Sequence, residues 1–425
     1  MLYERWRQIA LVSQEQIALR DLTSGGAWTF GELADRIENE PLAREEVAFP
    51  QGNSAEFIFS VLRAWRSDQP VCALESGQAP PALSGSFPVG VRHFKATSAT
   101  TGAQRLVAFT AEQLVADAEN IVTTMGLKPA WPNVGVISLA HSYGFSNLVL
   151  PLLLHGIPLV LAGSGLPEAL RRAAANEQAI TLAGVPALWG RWHEGNAIPA
   201  NVQVAISAGA PLPLKLEQSV FEARGLKIHN FYGSSECGGI AYDASSEPRT
   251  TASCAGAPLA NVNLSVDERG CLNVSGQAVG ETYWPDPSPA LSQGIFRTSD
   301  LAEISGGLVY LAGRVSDQIN VAGRKVLPET IEDVLTSHPD VRECVAFGVP
   351  SHNDERGETI VACLAAKPEL NAQILTHFLL SQLPSWQVPR KWWFVDSLEA
   401  NSRGKVSRSE WRRRYLDTLK QEPKE

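Results

Sequence analysis

The sequence predicts an α/β fold: a large N-terminal domain of layered α/β subdomains with a β-rich section, and a small mobile α+β C-terminal domain. Two observations predict it. Stretches typical of strands and of helices alternate along the N-terminal part, and such alternation builds layered α/β domains. From Val266 onward the sequence changes to short strands joined by glycine-containing turns, and a mixed region follows.

Hydrophobic periodicity predicts the N-terminal elements. Apolar residues spaced by three and four positions predict helices over 29–39 and 54–67, and 71–74 reads as a buried strand. Residues 76–90 are rich in Gly, Pro and Ser and are expected to form a loop. The further predicted elements are a strand over 134–140, a helix over 145–155, a strand over 157–163, and strands that open 180–192 and 201–213.

The most apolar stretch of the chain covers residues 148–163. Proline, histidine and glycine interrupt it, and it is too short to cross a bilayer comfortably. We therefore expect a buried helix followed by a buried strand, and no membrane span.

The C-terminal part has a predicted helix over 329–338, strands over 344–350 and 359–366, and a basic final helix. A glycine-containing turn just before Arg314 is suited to act as a hinge. The predicted division is an N-terminal domain over 1–313, a hinge over 314–317 and a C-terminal domain over 318–425.

Composition narrows the class of protein. The chain has 425 residues and a net charge of −9, which disfavours a nucleic-acid partner. Its six cysteines form no CxxC pair and indicate buried thiols in a reducing compartment. The N-terminus is charged and lacks the apolar region of a signal peptide. We expect a cytoplasmic enzyme.

A hydroxyl-rich stretch, KATSATTGAQRLVAFT, covers residues 95–110. Hydroxyls and backbone N–H groups of such a loop can surround phosphate oxygens, and Arg105 can supply positive charge. The alternative is a plain surface turn.

A second stretch, HNFYGSSECGGIAYD, covers residues 229–243. Its turn can hold Tyr232 against a flat ring, while Glu236 faces a phosphate-bound cation. Mg²⁺ prefers one or two carboxylates together with phosphate oxygens, so a lone acid among hydroxyls suits it. The alternative is a solvated glutamate at a strand end.

Two short motifs lie further along the chain. Asp300 in FRTSDL can accept hydrogen bonds from a ribose diol, and Lys405 in NSRGKVSR is a point charge suited to a phosphoryl oxygen. Taken singly, each residue reads as an ordinary solvated side chain.

The order of the motifs carries more information than any one of them. ATSATTG, HSYGF, FYGSSE, FRTSDL, GRVSDQINVAGRKVLPETIE and NSRGK together resemble the motif series of the adenylate-forming acyl-CoA synthetase superfamily. The resemblance runs from about residue 28 to about residue 410. The block from Gly313 to Glu332 is its most specific part.

The resemblance implies a set of nucleotide-binding residues. Tyr232 would stack on adenine, Asp300 would bind the ribose, and Arg314 would lie near the ribose and phosphate. Glu236 would bind Mg²⁺, and Lys405 would hold carboxylate and α-phosphate oxygens during adenylation. The other implied ATP and AMP contacts are Thr97, Ser98, Thr100, Thr101, Gly102, Ser207, Gly209, Ala210, Pro211, Asn230, Phe231, Gly233, Ser234 and Ser235.

The resemblance also implies an acyl side and a hinge. His141 would be the gate between the acyl pocket and a thiol tunnel, Arg105 would assist catalysis, and Asp317 would be the residue on which the small domain turns. The expected acyl-pocket residues are Tyr143, Phe145, Gly209, Gly233, Gly238 and Gly239.

Several positions depart from the family pattern. Ala99 stands where glycine is usual, Gln104-Arg105 where Pro-Lys is usual, and Ser299 where glycine is usual. The region between Leu74 and Thr97 is abbreviated, which implies a trimmed N-terminal subdomain. These changes bear on rate and ATP handling more than on reaction class.

The implied reaction is ATP-dependent conversion of a carboxylic acid to acyl-AMP with release of pyrophosphate, followed by transfer to a thiol. The stretch HSYGFSNLVL lacks the acid that would pair with a substrate ammonium, so an aryl or medium acyl acid is expected rather than an α-amino acid. CoA is the expected acceptor, and the phosphopantetheine arm of an acyl carrier protein is the alternative. A nucleotide hydrolase and a non-catalytic nucleotide- or acyl-binding homologue stay open as other classes.

A basic cluster near the C-terminus could meet CoA phosphates or an acidic carrier protein. Its alternative is a solvated helix face balanced by Glu410 and Asp417. The cluster consists of Arg403, Lys405, Arg408, Arg412, Arg413 and Arg414.

Overall fold

The computed structural model describes residues 1–43, 45–81, 83, 87–97, 105–351, 357–399 and 406–421. In these ranges the helices are α1 (Leu2–Val12), α2 (Phe30–Asn39), α3 (Ala55–Arg66), α4 (Ala111–Met125), α5 (Ser142–Gly144), α6 (Leu150–His155), α7 (Pro167–Ala174), α8 (Pro186–Glu194), α9 (Leu214–Arg224), α10 (Pro328–Ser337), α11 (Ala372–Leu380) and α12 (Arg408–Gln421). A π-helical turn, Phe145–Val149, joins α5 to α6, and 3₁₀ turns lie at Val315–Asp317 and Ser385–Gln387.

The strands of the N-terminal part are β1 (Ile17–Asp21), β2 (Gly26–Thr29), β3 (Val71–Cys72), β4 (Val91–Ala96), β5 (Leu106–Thr110), β6 (Asn133–Gly135), β7 (Leu159–Leu161), β8 (Ile180–Gly184), β9 (Val202–Ser207), β10 (Ile228–Ser234) and β11 (Gly238–Tyr242). The later strands are β12 (Cys254–Pro258), β13 (Asn263–Val266), β14 (Cys271–Ser275), β15 (Thr282–Trp284), β16 (Leu291–Ser292), β17 (Ile295–Ser305), β18 (Leu308–Arg314), β19 (Ile319–Val321), β20 (Arg324–Val326), β21 (Val341–Pro350), β22 (Glu358–Ala366) and β23 (Lys391–Phe394).

One large sheet dominates the N-terminal part, in the order β13-β14-β17-β18-β12-β11-β10-β9-β8-β6-β7-β1-β2. The run from β10 to β1 is parallel, and its strands are largely buried, as expected for a sheet covered by helices on both faces. On the other side of β10 the pairing becomes antiparallel through β11, β12, β18 and β17. The β-rich section is therefore continuous with the parallel sheet.

A second sheet has the order β15-β5-β4-β3. Strand β15 comes from the β-rich section and pairs antiparallel with β5, so that Tyr283 lies opposite Val107. This pairing brings two distant parts of the chain together beside the hydroxyl-rich stretch.

Local signals explain where helices begin. Thr29 caps α2: its side chain accepts a hydrogen bond from Glu32 N, and the Glu32 side chain accepts one from Thr29 N. Thr110 and Gln113 form the same capping box at the start of α4. Helix α4 ends at Gly126, whose φ of 62° lies in the left-handed region that glycine favours.

The apolar stretch 148–163 forms the buried end of a helix and then β7, as predicted. No helix within the described ranges combines the length and apolarity needed to cross a bilayer.

The C-terminal part has its own core. Strands β21, β22 and β23 form a sheet, β19 and β20 form a hairpin, and α10 and α11 pack with them around Ile331, Leu335, Leu375 and Leu379. Helix α12 packs on the sheet through Trp411 and Tyr415, which lie in a second cluster with Phe347.

The predicted fold class is confirmed, and several elements differ locally from the prediction. The strand predicted over 134–140 is only Asn133–Gly135, because its partner β7 ends at Leu161, opposite Gly135. Helix α1 at the N-terminus was not expected; its Trp6 is fully buried against Phe30.

Candidate active site

The carboxyl ends of the parallel strands β8, β9 and β10 lie side by side, which is where α/β sheets bind ligands. Ser207 ends β9 and is fully buried. Ala208 N donates to Gly184 O at 3.2 Å, which turns the chain across the end of β8. Gly209 follows with a φ of 87°, a conformation that permits this turn.

Tyr232, Asp300 and Arg314 form one cluster. The Tyr232 hydroxyl donates to Asp300 Oδ2, and Arg314 Nε donates to Asp300 Oδ1 at 2.7 Å. Asp300 and Arg314 are direct partners in the β17–β18 pairing, while Tyr232 reaches them from β10. Burial, together with the neighbouring Asp300 carboxylate, raises the pKa of Tyr232 well above its usual value, so the hydroxyl remains a donor.

The cluster has the chemistry of a nucleoside site. An ionised carboxylate has about four acceptor positions, so Asp300 can serve Tyr232 and Arg314 and still accept from a ribose diol. The half-buried Tyr232 ring is flat and held at its hydroxyl end, which suits stacking on a base.

Glu236 lies in the turn between β10 and β11. Its backbone N donates to Ser234 Oγ at 3.1 Å, and its carboxylate Oε1 accepts from the Tyr283 hydroxyl at 3.0 Å. Burial, and next the Glu236 charge, raise the pKa of Tyr283, which keeps it protonated as a donor to Glu236. The carboxylate is thus oriented by a neighbour from β15.

The Glu236 carboxylate suits a Mg²⁺ ion that is held mainly by substrate phosphate. Mg²⁺ commonly takes one or two protein carboxylates and keeps its other positions for water and phosphate oxygens. Within the described residues no three His, Cys, Asp or Glu side chains gather into a metal cage. A single oriented carboxylate is the arrangement that such a metal needs.

Arg105 stands on the other side of Tyr283. Its guanidinium carbon lies 5.4 Å from the Tyr283 ring centroid, within range of a cation–π contact. Thr97 N donates to Arg105 O at 2.8 Å, and Arg105 N donates to Thr97 Oγ1 at 3.3 Å. Thr97, the first residue of the predicted phosphate loop, is therefore joined to Arg105, which follows the loop, and Tyr283 lies between Arg105 and Glu236.

Five predicted site residues lie outside the described residues. They are Ser98, Thr100, Thr101, Gly102 and Lys405.

The predicted acyl side is assembled around Tyr143. Its hydroxyl lies 3.3 Å from Gly184 O and 3.4 Å from Ile206 O, at the ends of β8 and β9. Its ring lies 6.0 Å from the Phe231 ring. Tyr143 therefore spans the ends of two adjacent strands.

His141, the predicted gate residue, precedes α5, and its carbonyl oxygen accepts a hydrogen bond from Phe145 N at 2.8 Å.

The remaining predicted residues occupy several environments. Phe145 is fully buried and stacks on His93 with ring centroids 4.2 Å apart. Asn230 Nδ2 donates to Cys254 O at 3.2 Å, toward β12. Gly233 is packed against the backbone of Gly238, since a Cβ there would lie 2.6 Å from Gly238 O. These positions stay predictions as ligand contacts, as do Ala210, Pro211, Ser234, Ser235 and Gly239.

The predicted hinge residue is held by ionic contacts. Asp317 lies in the 3₁₀ turn after β18, and its Oδ2 pairs with Arg408 Nη1 at 2.5 Å. Arg408 also pairs with Glu329 and Glu332 at 3.0 Å and donates to Ala346 O at 2.9 Å. Burial acts against the charged form of Arg408, but these carboxylates raise its pKa above the usual value.

The sequence carries two family signatures over this framework. Residues 96–290 match the model of the AMP-binding enzyme family, and residues 330–405 match the AMP-binding enzyme C-terminal domain. The chain belongs to the AMP-binding enzyme family. The predicted adenylate-forming family is thereby confirmed.

The relatives of this AMP-binding enzyme include acid–thiol ligases, as predicted. A feruloyl-CoA synthase of an Amycolatopsis species is 27% identical over 342 residues, which cover 75% of this chain and 69% of the relative. A fatty acid–[acyl-carrier-protein] ligase of Streptomyces coeruleorubidus is 31% identical over 236 residues, which cover 51% of this chain and 45% of the relative.

The fold of the AMP-binding enzyme is also that of solved structures. The o-succinylbenzoate CoA synthetase of Bacillus subtilis, in complex with an acyl-adenylate intermediate, superposes with a TM-score of 0.81 at 20% identity. The match covers 96% of this chain and 97% of that one.

Sequence reasoning missed four residues that hold the candidate site together. Tyr283 orients Glu236, and Arg249 donates to Leu212 O at 2.7 Å, near the end of the turn that follows β9. Lys95 and Asp117 form a buried pair below the Glu236 turn. Each acts through a partner far away in sequence, so no local motif marks it. For Lys95, the available signal was its position at the start of the hydroxyl-rich stretch.

Proposed function

We propose that this chain uses ATP to convert an aryl or medium-chain carboxylic acid to acyl-AMP, releases pyrophosphate, and transfers the acyl group to a thiol, with CoA as the acceptor. The Tyr232–Asp300–Arg314 cluster beside the Glu236 turn carries the proposal. The cluster supplies a flat ring, a carboxylate proposed to bind ribose, and a cation. The Glu236 carboxylate beside it fits a phosphate-bound metal.

In the first half-reaction the substrate carboxylate attacks the α-phosphorus of ATP. Two anionic groups must approach each other, so positive charge and N–H donors have to surround both. Arg105 and the hydroxyl-rich loop would hold the β- and γ-phosphates, and Lys405 would bridge the carboxylate and the α-phosphate. Mg²⁺ bound at Glu236 would neutralise phosphate charge as pyrophosphate leaves.

In the second half-reaction a thiol attacks the acyl carbonyl and AMP leaves. In this proposal the thiol approaches the carbonyl from the side that Lys405 would occupy during adenylation. A rotation of the small domain at Asp317 would remove Lys405 and open this side. Domain boundaries at 1–313, 314–317 and 318–425 are part of the proposal.

The acid is proposed to be aromatic or of medium length. Tyr143 would supply an aromatic wall, and it spans the ends of β8 and β9 where a long chain would pass. Asp117, a buried carboxylate that contacts the end of the Glu236 turn, is paired with Lys95 at 3.2 Å and is not free to bind a substrate ammonium. These features support an acid without an α-amino group.

CoA is the acceptor that we propose first. The basic cluster at the C-terminus gives limited support to an acidic partner, because several of its members form internal contacts. Arg408 pairs with three carboxylates, Arg412 donates to Gly348 O, and Arg414 pairs with Glu399 and Glu410. A carrier protein remains the alternative acceptor, and we propose a cytoplasmic location.

The test is ATP–pyrophosphate exchange with a panel of benzoates, cinnamates, fatty acids of four to ten carbons and α-amino acids. Thioester formation is then measured for the best acid with CoA and with a phosphopantetheinylated carrier protein. We expect exchange with an aryl or medium acyl acid, and thioester with CoA. Absence of exchange with every acid, or preference for an α-amino acid, would refute the proposal; thioester with the carrier alone would replace the acceptor.

A further inference from the structure

A buried ionic network lies below the Glu236 turn. Lys95 of β4, Asp117 of α4 and Ser146 of the π-helical turn are 4%, 1% and 2% exposed. Lys95 Nζ lies 3.2 Å from Asp117 Oδ2 and 3.1 Å from Ser146 Oγ, and Ser146 Oγ donates to Asp117 Oδ2 at 2.5 Å. Lys95 Nζ also lies 4.6 Å from the Phe109 ring centroid. The three side chains thus form a closed triangle.

The remaining oxygen of Asp117 contacts the end of the turn that carries Glu236. Asp117 Oδ1 accepts from Gly239 N at 3.2 Å, at the start of β11 and just after Glu236. Gly238 has a φ of 67°, and a Cβ at this position would lie 2.0 Å from Asp117 Oδ1. The turn that carries Glu236 therefore rests directly on the carboxylate, with no side chain between them.

The other members connect the same carboxylate to two more parts of the site. Lys95 belongs to the strand that leads into Thr97, where the base of the phosphate loop is joined to Arg105. Ser146 follows α5, which carries Tyr143 of the proposed acyl side. One network therefore joins the strand that precedes the predicted phosphate loop, the Glu236 turn and the segment that follows α5.

Stability alone does not explain a pair of this kind. Desolvation of two charges largely offsets their attraction, and apolar replacements of similar volume are often equally stable. A fully bonded buried network instead fixes one geometry among the elements that it joins.

We propose that the Lys95–Asp117–Ser146 network positions the Glu236 turn relative to strand β4, and thereby sets the affinity for the Mg²⁺ that accompanies ATP. Lys95 and Asp117 are positioning residues, since they act through Gly239 and the turn. The inference rests on the proposed function. Removal of a group that orients a metal ligand commonly weakens metal binding by about 10–100-fold.

Two charge-neutral double variants separate positioning from stability. Lys95→Met/Asp117→Asn removes both charges but keeps an oxygen that can accept from Gly239 N. Lys95→Met/Asp117→Leu removes both charges and the acceptor. We expect the Mg²⁺ concentration for half-maximal exchange to rise by about 10–100-fold in the leucine variant, with a much smaller rise in the asparagine variant.

A matched control uses the other buried charge cluster. Lys227 pairs with Asp243 at 2.6 Å and with Glu217, which pairs with Arg249 at 2.9 Å. Lys227→Met/Asp243→Asn is also charge-neutral but leaves the Gly239 contact intact. It is expected to lower the melting temperature without moving the Mg²⁺ requirement. Ser146→Ala is a milder variant, and it should raise the requirement in a protein that folds.

Calorimetric titration of Mg²⁺ into each variant with a non-hydrolysable ATP analogue gives a readout independent of turnover. Equal Mg²⁺ affinity in the leucine and asparagine variants overturns the inference. If the leucine variant does not fold, a Mg²⁺ affinity of Ser146→Ala equal to that of the parent overturns it. If the parent exchanges pyrophosphate with no acid, the proposed function fails, and the calorimetric comparison alone then decides the role of the network.

Discussion

Arg408, at the start of α12, forms an ion pair with Asp317, in the turn that follows β18. The two residues are 91 positions apart, and Arg408 comes shortly after Lys405 in the chain. The same guanidinium contacts Glu329 and Glu332 of α10. The proposed hinge and the segment of the proposed catalytic lysine are thus connected through one side chain.

Arg408→Met should change the balance between the two half-reactions. In this proposal the contact stabilises one orientation of the small domain at Asp317. A hydrogen bond to a charged group contributes about 1.5–3 kcal/mol. Loss of the contact should therefore slow the half-reaction that uses this orientation by about tenfold or more. Exchange and thioester formation from supplied acyl-AMP measure the two steps separately. Arg414→Met, which removes exposed pairs on the same helix, is the control. Equal slowing of both steps by Arg408→Met would contradict the coupling.

Glu236→Gln should weaken the use of Mg²⁺-ATP while the protein stays folded. The amide oxygen of glutamine can still accept from Tyr283, but the metal loses its anionic ligand. The Mg²⁺ concentration for half-maximal exchange should rise by about tenfold or more. Glu281→Gln changes an exposed neighbouring acid and should behave as the parent does. An unaltered Mg²⁺ curve for Glu236→Gln would exclude the metal role.

Lys405→Ala should abolish adenylate formation and spare thioester formation from supplied acyl-AMP. A preorganised charge donor contributes about 10²–10³ in rate, and Lys405 would be engaged only in the adenylating orientation. Lys391→Ala, an exposed residue of the same part of the chain, is the control. A variant that loses both steps to the same extent would show that Lys405 is not confined to adenylation.

Tyr143→Ala should shift selectivity toward longer or bulkier acids. Removal of the ring opens the space across the ends of β8 and β9, while Tyr143→Phe keeps the ring and loses only the hydroxyl contacts. Discrimination per methylene in an apolar pocket is about 1–3 kcal/mol, or about tenfold or more in kcat/KM. The ratio of kcat/KM for decanoate over hexanoate should therefore rise in the alanine variant alone. The same ratio in all three proteins would place the end of the pocket elsewhere.

Asp243→Asn should flatten the acid side of the stability profile. Burial acts to raise the pKa of the Asp243 carboxyl, but hydrogen bonds from Lys227 and Ser245 outweigh it and lower the pKa below its usual value. The stabilisation is complete above the unfolded pKa of about 3.9 and is lost as pH falls through the folded pKa. Breaking the pair should cost about 3 kcal/mol at pH 7, and the difference from the parent should shrink near pH 3.

Urea unfolding at several pH values measures this difference, and Asp286→Asn at an exposed site is the control. A constant difference between Asp243→Asn and the parent down to pH 3 would contradict the role of the ionised carboxylate.

Sequence reasoning reached the elements whose signals are local. The capped helix that starts after Thr29 and the apolar helix before β7 carry their own periodicity, and the structure has both. The sequence alone could not predict the contact of Glu236 with Tyr283, because Tyr283 reaches the turn only through the pairing of β15 with β5. Lys95 and Asp117 depend in the same way on the packing of α4 against two sheets. A residue type suggests a role, but its partner follows from topology.

Strand β10 lies between the cluster proposed to bind the nucleoside and the strand ends proposed to border the acid. Tyr232 faces Asp300 and Arg314 on the antiparallel side of the sheet, while the carbonyls contacted by Tyr143 belong to β8 and β9 on the parallel side. On the proposed assignment, substitutions of Tyr143 would alter the choice of acid and leave Tyr232, Asp300 and Arg314 in place. On that assignment, exchange of a few side chains near Tyr143 would change the acid that is accepted, while activation by ATP would be retained.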